Sequence, residues 1–287
     1  MSSMEPGELC QEFADILGAT PGVVNGVCTA TRSRTNLHPT VLGRRAESFM
    51  FVPQAFSFEN QDKDGKALCL GETVILQDEI NPFLTCLREN DIIVTAIHNH
   101  WLFDDPRLMY MHFEKIEEPL EFARKVKRAL DLLTTRTIGR PGRSNRMANR
   151  RGGDVCEEFN RILDGEMHTF DNGVCTVMKS RHNIMPRVLG RRGKSFLLIP
   201  QMFVFESMTS DGRALCSGES VILEEEFNPL ASRLREHDIF VTAFHNHWLF
   251  DKPKLMYIHF VKIDQPLQFA EDVADSFQVL QKNKIRP

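Results

Sequence analysis

Along the first half of the chain the apolar positions switch between helical and strand-like spacing. Glu8 to Leu17 puts Leu9, Phe13, Ile16 and Leu17 on one stripe, which predicts an amphipathic helix. Ser48 to Glu59 is β-like, with Phe49, Phe51, Phe56 and Phe58 interrupted by Pro53, and Ala67 to Leu76 reads as a second strand after the Lys63-Asp64-Gly65 turn. Asn81-Pro82 supplies a cap and a Pro at the first helical position, so a short helix is expected to about Glu89. Asp91 to His100 and Arg107 to Ile116 are again β-rich, and Pro119 to Leu133 is a helix with Phe122, Val126, Ala129, Leu130 and Leu133 inward. The order α-β-β-β-α-β-β-α predicts an α+β module with an antiparallel or mixed sheet and helices on one side.

The second half repeats the first. Gly26-Val-Cys-Thr returns as Gly173-Val-Cys-Thr, Val41-Leu-Gly-Arg-Arg45 as Val188-Leu-Gly-Arg-Arg192, and Val94–Phe103 as Val241–Phe250, each time 147 residues on. Roughly three positions in five are identical from Gly26 to Val126. Two copies are too few for a solenoid, whose units each leave an open face. The pattern therefore predicts two tandem homologous modules, near 7–135 and 153–283, joined by an Arg-rich linker over 136–152. Surface charges differ between the copies (Glu121/Gln268, Lys125/Asp272, Arg128/Asp275), whereas the histidines, several glutamates and the Arg pair are kept.

A length of 287 residues, with 42% hydrophobic and 26% charged positions, suits two globular domains. No run approaches a membrane span, and Met1 to Phe13 carries acids and a Pro where a signal peptide has a basic start and an apolar stretch, so a cytoplasmic protein without membrane partners is expected. Seven cysteines, an odd total without Cys-x-x-Cys, are then read as thiols. Cys28/Cys175 and Cys69/Cys216 are expected as small buried hydrophobes, and Cys86, with Arg233 opposite it, belongs to no shared mechanism. The net charge of −4 is uneven: Thr134 to Gly153 holds six arginines and no acid. Such a segment can bind nucleic acid by counterion release, although a solvated linker is the simpler expectation.

The histidines carry the sharpest chemistry. Side chains alternate along a strand, so His98 and His100 share a face while Asn99 points away. If residue numbers across the following hairpin sum to 210, His98 faces His112 and His100 faces Tyr110. His245, His247, His259 and Tyr257 repeat the set. Three converging imidazoles are half to three quarters of a shell for a divalent transition metal such as Zn, Mn or Fe. Acids kept in both halves are Glu59/Glu206, Glu72/Glu219, Glu79/Glu226 and Asp104/Asp251; Glu59 and Glu206, at a strand end, are favoured as the fourth ligand or base. Glu79/Glu226 could instead flank a helix N-terminus. An HNH nuclease is not implied, because there the His and Asn residues are spread over a ββα unit.

Arg44-Arg45 and Arg191-Arg192 follow a Gly in an expected loop, and with Arg34/Arg181 they could clamp a carboxylate or phosphate bidentately, solvated loop arginines being the alternative. Met109, Met111 and Phe113 fall opposite the histidines and are expected as core. No phosphate-binding Gly-rich loop, Gly-x-Ser-x-Gly elbow or His-Glu-x-x-His occurs.

The run Glu79-Ile-Asn-Pro…Leu-Arg-Glu…Ile-Val-Thr-Ala-Ile-His98-Asn-His100…Pro106-Arg-Leu-Met-Tyr-Met-His112-Phe, followed by an amphipathic helix, resembles the LppY/LpqO family of uncharacterised bacterial domains. Both halves match, and the resemblance implies that the six histidines are family positions. Cys10 follows Pro6-Gly-Glu-Leu without an apolar leader, unlike the lipidated cysteine of the lipoprotein members. The combined expectation is a metal-dependent hydrolase or lyase acting on a small anionic molecule. His98, His100, His112, His245, His247 and His259 would hold metal, Glu59 and Glu206 would complete the shell or act as base, and Tyr110, Tyr257, Arg44, Arg45, Arg191 and Arg192 would position substrate. The alternative is a non-catalytic binding protein with structural histidines. Oligomeric state is open.

Overall fold

The computed structural model describes residues 6–140 and 149–285. Helix α1 (Glu8–Leu17) buries Cys10, Phe13, Ala14 and Leu17 at helical spacing, and Gly18, at φ 62°, ends it in the left-handed conformation that glycine adopts without strain. Six strands follow: β1 (Thr20–Val24), β2 (Val27–Ser33), β3 (Pro53–Glu59), β4 (Ala67–Ile75), β5 (Ile93–His98) and β6 (Met109–Glu117). They form one antiparallel sheet in the order β1-β2-β3-β4-β6-β5. Helix α2 (Ile80–Glu89) lies between β4 and β5 in sequence, and α3 (Pro119–Leu130) follows β6. The β-like reading from Ser48 is shortened at its start: Phe51 and Val52 donate backbone N–H to Ser48 O in a turn, and the strand begins at Pro53.

The second module repeats this as α4 (Asn149–Leu163), β7 (Met167–Asp171), β8 (Val174–Ser180), β9 (Pro200–Glu206), β10 (Ala214–Ile222), α5 (Phe227–Glu236), β11 (Phe240–His245), β12 (Met256–Asp264) and α6 (Pro266–Ser276). Its sheet runs β7-β8-β9-β10-β12-β11. Ile138–Gly139, after α3, pairs parallel with Leu37–His38. Arg143 and Arg146, and the side chains of Arg150 and Arg151, lie outside the described residues.

Burial explains how the modules meet. Every residue of β4 and of β10 is buried, on both faces of the strand. One face, with Cys69, Met111 and Phe113, packs on the helices together with Phe13, Phe83 and Phe122. Gly71 is required there, since a Cβ would sit 2.1 Å from the Phe113 ring. The other face packs on the opposite module: Val74 and Tyr110 cluster with Met202, Val204, Leu215 and Val261, and Ala55, Leu68 and Leu70 cluster with Leu198, Val221 and Tyr257. The result is four layers, helices outside and two sheets face to face within, so each sheet buries both faces instead of one.

The reading of all seven cysteines as thiols is corrected. Cys10 on α1 is disulfide-bonded to Cys28 on β2, and Cys156 on α4 to Cys175 on β8, with Cα–Cα separations of 5.6 Å in both. Each bond ties the first helix of a module to its sheet. Cys69, Cys86 and Cys216 are free, and burial pushes the thiols of all three up. Among the described residues no helix is long and apolar enough to cross a membrane.

Candidate metal centre between the modules

Strands β5 and β6, with their counterparts β11 and β12, place the histidines. His98 ends β5 and His245 ends β11. The register differs from the expected sum of 210: His98 lies opposite Tyr110 and His112 opposite Ala96, so the pairs sum to 208 and the hairpin is centred one residue earlier in the chain than assumed. A bulge beside His112/Phe113 then shifts the pairing. His100, two residues past the strand, stacks on Tyr110 at 3.6 Å between centroids, and His247 stacks on Tyr257 at the same distance.

Because these strands lie on the sheet faces that meet, the two triads form one cluster. His98 stacks on His245 at 3.5 Å, His100 on His259 at 3.8 Å and His112 on His247 at 3.8 Å. Each of these three stacks crosses from one module to the other. Cross-module hydrogen bonds fix the ligand loops: Thr95 Oγ1 donates to His247 O at 2.5 Å and Thr242 Oγ1 to His100 O at 2.7 Å. His98, His100, His112 and His247 bring one ring nitrogen each within 4.8 Å of the others, and His100, His245, His247 and His259 do the same. Exchanging equivalent residues converts one group into the other, so the centre has the approximate two-fold symmetry of the fold.

His100, His112, His247 and His259 are buried, and His98 and His245 are half-buried. Burial first, and neighbouring imidazoles second, hold His98 down to about 2 and the buried four well below the ordinary value; burial holds His245 down to about 4. The rings are therefore neutral, the form that ligates metal. Ten of their nitrogens are buried without a hydrogen-bond partner. An unsatisfied buried polar atom costs about 1–3 kcal/mol, so such a concentration is comparable with the whole stability of a domain. Metal coordination would satisfy one nitrogen on each ring, and the six-imidazole donor set fits zinc or iron; it suits manganese less, because manganese prefers oxygen.

The other candidate residues lie elsewhere. Glu59, favoured as ligand or base, instead accepts the backbone N–H groups of Lys194 and Ser195 at 2.7 and 2.9 Å, and Glu206 accepts those of Glu47 and Ser48 at 2.8 and 3.3 Å. They are braces between modules. Burial raises both carboxyls, that of Glu206 to about 7. Arg44 donates to Ser207 O, Arg45 pairs with Glu47, and Arg191 binds Asn60 O, Lys66 O and Asp62; Arg192 is exposed. Arg34 does clamp a carboxylate, but it is the chain's own Glu79, held at 2.6 and 2.9 Å, and Arg181 holds Glu226 likewise. Burial would raise the Glu79 carboxyl; Arg34 together with the backbone N–H groups of Leu76 and Thr134 more than offsets this and holds it below the usual range. Asp104 and Asp251 accept the backbone N–H of Leu108 and Leu255. The hydroxyl of Tyr110 donates to Phe51 O at 2.7 Å and accepts from Trp101 Nε1 at 2.9 Å, with Tyr257, Leu198 O and Trp248 arranged alike, so both tyrosines serve as buried platforms for a histidine.

The carboxyls beside the histidines are Glu72 and Glu219. On adjacent strands Glu72 pairs directly with His112 and Glu219 with His259. Burial raises both, and the charge of Glu72 raises Glu219 further, as expected of two acids facing each other across the sheets. Their signal in the sequence is a lone acidic residue in the middle of a strand. Glu114, two residues beyond His112, is fully buried with both oxygens unpaired, and burial together with Asp251 pushes it up to about 8; the second module has Val261 there.

The family model described as Domain of Unknown Function (DUF1259) matches residues 11–132 and again 157–279. The chain belongs to this family, in two tandem copies. Both copies contribute their histidine strands to the shared centre. No curated protein matches the chain. Among solved structures, that of EtuB from Clostridium kluyveri aligns over 84% of this chain and 93% of its own, at 7% identity and a TM-score of 0.20, a likeness too weak to argue from.

Proposed function

We propose that the chain is a metal-binding protein whose centre is built jointly by the two modules, and that the metal serves hydrolytic or lytic chemistry. The observation that carries this is the single cluster of six neutral imidazoles with ten unpartnered nitrogens. Stoichiometry distinguishes its use. One ion would take four histidines and leave a closed shell, the structural pattern. Two ions would share six histidines, three each, and leave a position open for water or substrate on both, the catalytic pattern. The symmetry of the two groups favours two, with Zn or Fe ahead of Mn. Bound metal would lower the pKa of a coordinated water or polarise a substrate oxygen. Glu72 and Glu219, beside His112 and His259, are the residues of this chain placed to hold or pass a proton there.

The earlier expectation of an anionic substrate loses support, since Arg44, Arg45 and Arg191 are engaged within the chain. The LppY/LpqO likeness agrees with the duplicated histidine strands, and the two disulfides favour an oxidising compartment over the cytoplasm. The test is elemental analysis of the untagged chain and of His98→Ala/His245→Ala. Two equivalents per chain, lost in the double variant, are expected. Native protein that fails to take up Zn, Mn or Fe on titration would sink this reading and leave a non-catalytic binding protein with structural histidines.

A further inference from the structure

Between the two sheets, next to the histidine cluster, lies a cavity of about 60 Å³. A single water needs about 10–15 Å³ on that scale, so the cavity holds a molecule of several heavy atoms. Its walls come from both modules and are mostly apolar, including Phe49, Met50, Phe56, Met178, Phe196 and Met202. Phe49 and Met178 are half-buried, whereas Glu72 and Glu219, also in the lining, are 8% and 7% exposed. Neither carboxyl has a hydrogen-bond partner among the described residues. A buried carboxyl without a partner is costly, and two facing each other are more so.

We propose that this chamber binds a short alkyl chain ending in a primary amine, with the apolar walls around the chain and the amino group donating to Glu72 and Glu219. Whichever carboxyl holds a proton, the pair still presents acceptor oxygens, and a primary ammonium carries three donors, enough to bridge them. With either acid ionised opposite the ammonium, the same pair repels an alkyl carboxylate of equal size. The placement of Glu72 and Glu219 beside His112 and His259 puts the amine end of such a ligand next to the metal centre. As a statement of substrate class this rests on the metal reading; as a binding site it does not.

The probes are n-butylamine and its near-isostere n-butyrate, titrated by ligand-observed NMR into the full chain as purified and after chelation, with metal content measured separately. Butylamine should bind at least tenfold more tightly than butyrate, and Glu72→Gln/Glu219→Gln should abolish that preference. Met178→Trp, which narrows the half-buried part of the chamber while sparing the acids, should weaken butylamine at least tenfold. Equal binding of the two probes, or butylamine binding indifferent to both variants, would overturn the proposal. Amine binding by a chain that takes up no metal would uphold the chamber and sink only the metal reading.

Discussion

His98 and His245 occupy equivalent positions in the two modules, and their rings stack with centroids 3.5 Å apart. The approximate two-fold axis of the duplicated chain therefore passes between them and exchanges the two four-histidine groups, which have His100 and His247 in common. His112 belongs to one group alone, and His259 only to the other. We expect His112→Ala to lower the metal content from two equivalents to one, and His112→Ala/His259→Ala to lower it to none. Elemental analysis checks this, and a single substitution that removes all metal would mean that one ion is held in common.

Much of the fold was legible in the sequence because its signals are local. The stripe at Phe122, Val126 and Leu130, the Asn81-Pro82 start and the repeat itself all lie within short windows or at a constant offset. The shared face of His98, His100 and His112 followed from strand parity. The convergence of both triads did not, because contact between modules depends on which sheet face is left for the partner. The fully buried β4 was the available hint: a strand without a polar face needs cover on both sides. Glu59 misled for the same reason, since an acid at a strand end reads alike whether it meets a metal or the backbone of another module. The disulfides were hidden by a slip in the repeat. Cys28 and Cys175 are 147 residues apart, but Cys10 and Cys156 are 146, so comparison at a fixed offset aligned Cys10 with Glu157.

The braces are separable from the centre. In Glu59→Gln or Glu206→Gln an amide N–H₂ replaces one of two oxygens that each accept a backbone N–H from the opposite module. Each substitution should cost about 1–3 kcal/mol in equilibrium unfolding, with metal content unchanged. Loss of metal in these variants, without loss of stability, would return the two glutamates to the coordination shell.

Thiol counting tests the cysteine assignment. Denatured without reductant, the chain should show the three thiols of Cys69, Cys86 and Cys216, and with reductant all seven. Each disulfide closes a loop of fewer than twenty residues, so reduction should remove about 3 kcal/mol of stability per bond on the chain-entropy estimate. Seven thiols in unreduced protein would restore the original reading.

The stability of the metal-free chain should peak at about pH 6 and fall on both sides. The six histidines have folded pKa values lowered beneath their unfolded value, to about 2 for His98 and about 4 for His245. Their contribution is present above the unfolded value and is lost as pH falls, because the unfolded chain then takes up protons that the folded chain refuses. The glutamates act in the opposite sense. Glu114 is raised to about 8, Glu206 to about 7, and Glu59, Glu72 and Glu219 are raised as well, so their contribution is full below the unfolded carboxyl value and is lost as pH rises through the folded ones. Between about pH 4.5 and 6.5 six histidines outweigh five glutamates, so acid destabilises; above about pH 6.5 the glutamates dominate, so alkali destabilises. Unfolding of the chelated protein between about pH 4.5 and 8.5 should give a dome centred at about pH 6. Added metal should then steepen the acid limb, since protons and metal compete for the same imidazole nitrogens. A stability that rises steadily across this range would mean that the glutamates ionise freely in the folded chain, and that Glu72 and Glu219 have partners other than each other.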